Sequence, residues 1–219
     1  MGANLTAVDT TPSLISPPGL MEPSQTDSPL KLGVMASGSG SNFEAIAQAI
    51  ADRALNAQIQ VLIYNNPDAK AAARAERWGI PSVLLNHREF ENRETLDEAI
   101  VTTLQQYKVE WVIMAGWMRI VTPVLINAFP KRILNIHPSL LPSFKGNRAV
   151  EQALAAGVKI TGCTVHLVVP EVDSGDIIMQ AAVPVLADDT LASLHDRIHS
   201  QEHRIFPQAI ALAATQARA

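Results

Sequence analysis

The feature that most constrains this chain is an alternation that begins at Lys31. Short apolar, β-branched runs take turns with stretches of helical period. LKLGVMAS reads as a buried strand, GSGSN as the turn after it, and Phe43 to about Arg53 as a helix. IQVLIYN is a strand, DAKAAARAERWG a helix closed by Gly79, and IPSVLL a short strand. A long helix runs from about Glu89 to Tyr107. VEWVIMAG is the next strand, VTPVLINAF a short helix begun around Pro123, and RILNIH a further strand. ITGCTVHLVV and DIIMQAAVPV read as two consecutive strands. DTLASLHDRIHSQEHRIFPQAIALAATQ is a long closing helix, capped by Asp189 or Thr190 and bent at Pro207. This order predicts an α/β fold: a mostly parallel, twisted, Rossmann-like sheet with helices on both faces.

Residues 1–29 break the pattern. They carry Pro12, Pro17, Pro18, Pro23 and Pro29, many Ser and Thr, and no Lys or Arg. Such a composition buries too little apolar surface to offset the entropy of ordering it. It also lacks the basic start and apolar stretch of a secretory signal, and the arginines of a transit peptide. The expectation is a disordered extension over 1–29 and a single globular domain over 30–219. With 219 residues, 47% of them hydrophobic, the chain can bury a substantial core. Its net charge of −4 shows no basic stripe, so no nucleic-acid partner is expected. No apolar run is long enough to span a bilayer. The one cysteine, Cys163, sits in an apolar strand and reads as a packing thiol rather than a nucleophile. A lone thiol suits a reducing compartment, the cytoplasm.

Three motifs carry chemistry. MASGSGSNFEAI places glycines and hydroxyls between a strand and a helix, where unpaired N–H groups can hold an anion. Phe43 stands where a dinucleotide fingerprint needs its third glycine, and no Gly-Lys-Ser/Thr follows, so a mononucleotide phosphate is the better fit. A plain structural turn would read the same way. In RILNIHPSLLPSFKGN, Asn135 and His137 are two apart on a strand and share one face at its end. In PEVDSGD, Ser174-Gly175 marks a turn that carries Asp173. A histidine can move protons near pH 7, a carboxylate can orient it, and an amide can donate to an oxyanion. No G-x-S-x-G nucleophile appears, so the set suits acyl transfer or hydrolysis with an external nucleophile. Taken singly, the histidine reads as a hydrogen-bonded structural residue and the aspartate as a turn former.

Together SGSGSN, AGWMRIVTP, NIHPSLLPSFKG and VDSGDII with QEHRIFP resemble the glycinamide ribonucleotide formyltransferases, which are folate-dependent formyltransferases. The resemblance covers about residues 31–213. It implies a catalytic trio of Asn135, His137 and Asp173, and a phosphate loop of Gly40, Ser41 and Asn42, with Arg93 and Glu202 as further ribonucleotide contacts. The folate pocket would use Met118, Arg119, Ile120 and Val121 with Arg93 and Asn135, and backbone from 169–173. The donor implied is 10-formyltetrahydrofolate, with no metal. The partners implied are small molecules only, on a monomer or homodimer. His199 stands where some members have a Gln near the phosphate, so that contact is not carried over, and the role of Lys145 stays open. Taken alone, Arg119, Arg93 and Glu202 would be solvated charges and Trp117 and Met118 core residues.

Three other readings compete. In 10-formyltetrahydrofolate hydrolase water replaces the amine, but those relatives carry a regulatory domain that 29 residues cannot supply. Methionyl-tRNA formyltransferases add a basic RNA-binding domain, whereas this chain is acidic. A non-catalytic nucleotide-binding module would not need the Asn, His and Asp together.

Overall fold

The computed structural model describes residues 14–17 and 28–217. Eight strands form one mixed sheet: β1 (Leu14–Ser16), β2 (Leu30–Ala36), β3 (Ala57–Tyr64), β4 (Ser82–Leu84), β5 (Trp111–Met114), β6 (Ile133–His137), β7 (Ile160–Leu167) and β8 (Ile177–Pro184). Their order across the sheet is β1-β8-β7-β6-β5-β2-β3-β4. The five strands from β6 to β4 pair in parallel, while β7, β8 and β1 are added antiparallel. The helices are α1 (Ser41–Ala51), α2 (Ala71–Arg77), α3 (Arg93–Gln106), α4 (Pro123–Ala128), α5 (Ala149–Ala156) and α6 (Leu191–Gln216).

Strand periodicity splits the core in two. Val34, Ala36, Trp111, Ile113, Leu134 and Ile136 point to one face, where they meet α1, α2, α5 and α6. Met35, Val112, Met114 and Ile133 point to the other, against α3 and α4. Both faces are dry, which explains why these strands read as continuous apolar runs. Because side chains alternate, Asn135 and His137 fall on the same side as Ile133. The chain leaves β2 in one direction through β3 and β4, and in the other through β5 and β6. That reversal opens a crevice at the strands' carboxyl ends, where open α/β sheets bind ligands.

Two elements depart from the expected pattern. α5 was not legible: Arg148, at φ 62°, is a left-handed residue that starts it, and Gly157, at φ 67°, ends it. The sequence reading also places all of 1–29 in a disordered extension. Leu14–Ser16 instead pair with Ala182, Ala181 and Gln180 of β8, and Ile15 packs against the core. The free edge of β8 supplies the hydrogen-bond partners that local composition could not reveal. Residues 1–13 and 18–27, where the rest of that expectation falls, lie outside the described residues.

α6 continues through Pro207, and its cap is Thr190, whose hydroxyl accepts from the Ser193 N–H while Ser193 reciprocates. Among the described residues, no helix is long and apolar enough to cross a membrane.

Candidate functional site

The ends of β2, β5 and β6 open into a cavity of about 940 Å³, and each site residue named from the sequence lines it. Its two ends are built differently.

One end is the glycine loop. Gly40 has φ 72°, and a Cβ there would come within 2.7 Å of the Ala71 backbone, so only glycine fits. α2 holds the loop: the Ala71 N–H donates to Gly38 O and Arg74 Nε to Ser39 O, at 3.2 and 2.8 Å. Among the described residues, no side chain caps α1. Its first-turn N–H groups and partial positive charge are therefore left for an anion. Asn42 is buried and its Nδ2 donates to Oε2 of Glu202 at 2.9 Å, while its Oδ1 has no partner among the described residues. Burial pushes the Glu202 carboxyl up to about 7, against the pull of the Asn42 N–H. His199, one turn earlier on α6, shares a 2.8 Å hydrogen bond with the Ser41 hydroxyl. Burial, then the charges of His203 and His195, push His199 down to about 4 against the opposite pull of Asp196. His199 Nε2 and Glu202 Oε2 lie 3.9 Å apart, an ion-pair spacing. The two shifts nevertheless leave a neutral imidazole beside a carboxyl that is only partly ionised near pH 7. Arg93, exposed at the start of α3, also lines the cavity.

The other end gathers His137, His166, Asn135 and Asp173. His137 Nε2 donates to Phe144 O at 2.9 Å, and its Nδ1 lies 3.4 Å from Oδ2 of Asp173. Both ring nitrogens thus face acceptors, and only the charged imidazolium can donate to both. Phe144 is held at φ 56°, a strained conformation for a bulky residue, which aims its carbonyl at the histidine. His166 was missed. It sits opposite Asn135 in the β6–β7 pairing, with Nε2 3.2 Å from Asn135 Nδ2 and 3.6 Å from Oδ1 of Asp173. Its Nδ1 donates to Leu167 O at 2.9 Å. In the tautomer with Nδ1–H, Nε2 accepts one amide hydrogen of Asn135 and the second is left for an oxyanion. The signal was present in the sequence: Thr164 and His166 alternate on β7 as Asn135 and His137 do on β6.

Asp173 reaches this cluster because its turn folds back onto β7. Leu167 N–H donates to Asp176 O at 2.9 Å, and a Cβ on Gly175 would lie 1.8 Å from Leu167 O. The Gly146 N–H then donates to Oδ2 of Asp173 at 2.8 Å. Burial raises the Asp173 carboxyl, but the His166 contact, the Gly146 N–H and the charges of His137 and His166 outweigh it and hold it below the usual range. Lys145, whose role the sequence left open, ties the two loops together: its Nζ lies 2.5 Å from Ser174 Oγ and 3.7 Å from Glu171.

Between the ends, the 115–122 segment forms a wall. Met118 and Ile120 are exposed, while Val121 is buried. The segment is pinned twice: Met118 N–H donates to Ser37 Oγ at 2.8 Å, and Thr122 N–H donates to the buried Asp97 at 2.5 Å. Exposed apolar side chains on a fixed backbone suit a flat apolar ligand with polar edges. Cys163 is buried in β7 and takes no part; burial pushes its thiol well up.

A sequence profile described as formyl transferase matches residues 30–210. The phosphoribosylglycinamide formyltransferase of Bacillus subtilis is 42% identical over 180 residues, 82% of this chain and 92% of that protein. The human trifunctional purine biosynthetic protein adenosine-3 is 44% identical over 185 residues, and the chain spans 18% of its length. Among solved structures, glycinamide ribonucleotide transformylase 1 from Symbiobacterium toebii superposes with a TM-score of 0.84 at 45% identity, covering 86% of this chain and 89% of that one. The phosphoribosylglycinamide formyltransferase of Bacillus halodurans gives 0.82 at 39% identity, covering 85% and 96%. Sheet, cavity and relatives agree, and the chain belongs to the formyl transferase family.

Proposed function

We propose that the chain moves the formyl group of 10-formyltetrahydrofolate onto the amine of glycinamide ribonucleotide, in de novo purine synthesis in the cytoplasm. One observation carries the reading: a single cavity joins an uncapped helix end, suited to a phosphate, to a cluster suited to an oxyanion. The relatives named for this reaction support it.

In this reading the phosphate rests on Gly40, Ser41 and Asn42, and Glu202 and Arg93 hold the rest of the ribonucleotide. The folate lies along Met118 to Val121, with Arg93, Arg119 and Asn135 at its polar edges. The amine nitrogen attacks the formyl carbon, and the carbonyl electrons move to oxygen. The second amide hydrogen of Asn135 donates to that oxygen, and an imidazolium at His137, its two N–H groups turned to Phe144 O and Asp173, would offset the charge through space. Asp173 faces His137 Nδ1 at 3.4 Å and fixes the tilt of the ring. Collapse breaks the bond to the folate nitrogen, and the proton lost by the amine ends on that nitrogen. The products are the formylated amide and tetrahydrofolate. Much of the acceleration comes from orientation of the two substrates within one cavity.

The test is incubation of the protein with 10-formyltetrahydrofolate, with and without glycinamide ribonucleotide. Tetrahydrofolate release that depends on the ribonucleotide is expected. Equal release without it would make the protein a 10-formyltetrahydrofolate hydrolase.

A further inference from the structure

α2 carries two arginines that share one carboxylate and differ in one contact. Arg77 Nη2 donates to Glu44 Oε2 at 2.9 Å and reaches no further. Arg74 Nη1 donates to the same oxygen at 2.7 Å, and its Nε donates to Ser39 O at 2.8 Å. Trp78 Nε1 donates to Glu44 Oε1 at 3.0 Å and completes the cluster. Arg74 therefore ties α2 to the glycine loop and to the first turn of α1, whereas Arg77 ties it to α1 alone.

The tie has a direction. A trans peptide points its N–H opposite to its C=O. The Ser39 carbonyl faces Arg74, so the Gly40 N–H, in the same peptide unit, faces away from α2. The Gly38 carbonyl accepts from the Ala71 N–H at 3.2 Å, so the Ser39 N–H faces away as well. Among the described residues, neither of these two N–H groups has a hydrogen-bond partner. Gly38, Ser39 and Gly40 line the cavity, and Ala71 and Arg74 do not. The loop has little packing of its own: Gly38 and Ser39 are exposed, and a Cβ on Gly38 would meet nothing within 4 Å.

We propose that Arg74 is a positioning residue: from outside the cavity it sets the peptide orientation with which the glycine loop meets the ribonucleotide phosphate. The proposal rests on the formyltransferase reading and adds to it a residue that touches neither substrate. An ion pair as open to solvent as this one adds little by itself. What separates Arg74 from Arg77 is the hold on a loop carbonyl. The guanidinium suits that role because its planar fork carries donors in fixed directions, one for Ser39 O and one for Glu44. A lysine ammonium on its flexible stem cannot hold both in the same geometry.

The experiment compares Arg74→Ala, Arg74→Lys and Arg77→Ala with wild type in the full chain. Steady-state kinetics gives turnover and the KM of each substrate. Affinity for ribose 5-phosphate is read from the amide NMR shifts of Gly40 and Ser41. R74A should raise the ribonucleotide KM and weaken ribose 5-phosphate binding about tenfold, the scale of one hydrogen bond to a charged group. Turnover and the folate KM should stay within about threefold of wild type, the pattern of lost uniform binding. R74K should move the same way by a smaller step, at a melting temperature near that of wild type, which keeps the test decisive if R74A folds poorly. R77A should match wild type in both KM values, although it takes a guanidinium from the same glutamate. Equal losses in R74A and R77A would overturn the proposal, since α2 would then act only as a packed helix. Wild-type affinity in R74A and R74K would overturn it too, and would leave the formyltransferase reading standing. Wild type that binds ribose 5-phosphate but transfers no formyl group removes that reading alone, and the contrast between R74A and R77A in affinity still decides the role of Arg74. Wild type that binds neither the ribonucleotide nor ribose 5-phosphate overturns both.

Discussion

The two ends of the cavity treat charge in opposite ways. Around Asp173 the protein stabilises ions: a carboxylate held below its usual range, and a histidine with an acceptor at each nitrogen. Around Asn42 it suppresses them: a glutamate raised to about 7 and a histidine lowered to about 4. The difference follows from what each end must meet. An oxyanion exists only in passing, so its stabilising charge must stand ready before the reaction. A phosphate brings permanent charge, so its site can stay neutral until the ligand arrives.

The largest effect should come from removing the fixed charge. Asp173→Asn keeps the shape, the turn and the Gly146 contact, and leaves His137 without its counter-charge. Turnover should fall on the order of a hundred- to a thousandfold, the range for removing a group that sets protonation or supports an oxyanion donor. The ribonucleotide KM should move by no more than a few-fold, since the phosphate end is untouched. Steady-state kinetics in both substrates checks this. Near-wild-type turnover would reduce Asp173 to a turn residue and erase the contrast between the ends.

The suppressed charge at the other end has a signature in stability. Below pH 4.5 both folded and unfolded chains hold the Glu202 proton. Between 4.5 and 7 the unfolded chain loses it and the folded chain keeps it, so stability falls as pH rises through this window. The loss levels off above pH 7 at about 3 kcal/mol. Glu202→Gln cannot ionise, and should escape this fall. Urea unfolding of both proteins without substrate, at pH 5 through 8, measures it. Parallel curves would mean that Glu202 is an ordinary carboxylate, and that both ends of the cavity are built alike.

How much of this was readable beforehand depended on how far the deciding contact lies along the chain. Asn135 and His137 were legible because a strand's period puts them on one face. The order of strands and helices was legible because both faces of the sheet are buried. The antiparallel setting of β7 and β8 was not, since both orientations give the same apolar run. Asp173 could be seen on a turn, but its reach depends on Gly175 lying against Leu167 O, a contact no local pattern contains. His166 was hidden inside an apolar strand, and became informative only when β7 was paired with β6. α5 was hidden because a left-handed arginine starts it instead of a capping residue. β1 needed a partner strand more than 160 residues away.

A smaller effect should sharpen the contrast from the phosphate side. Asn42→Ala removes one donor to Glu202 and a residue of the anion site, and both lie far from the formyl carbon. The ribonucleotide KM should rise about tenfold with turnover changed only a few-fold, the pattern of lost uniform binding. Collapse of turnover at unchanged KM would show that the phosphate grip also positions the amine, and that the two ends act as one.

The smallest effect belongs to a region outside the cavity. β1 lies at the sheet's far edge, and neither it nor β8 contributes a residue to the cavity lining. Deleting residues 1–17 removes three rungs of antiparallel pairing and the partial burial of Ile15. Partial burial of one isoleucine is worth about 1 kcal/mol, which in a chain of this size lowers the melting temperature by roughly 2–4 °C. Turnover and both KM values should match wild type, because the strand ends that carry Asn135 and His137 keep their neighbours. The exposed edge of β8 then offers unpaired N–H and C=O groups, and the truncated protein should associate more with rising concentration than the full chain. Light scattering against concentration, together with the kinetics, tests both halves. A truncated protein that loses turnover in proportion to its association would show that the edge strand protects the cavity through the sheet. A loss at high dilution, without association, would mean that β1 braces β7 and its histidine through β8, and that the reacting end of the cavity depends on the far edge of the sheet.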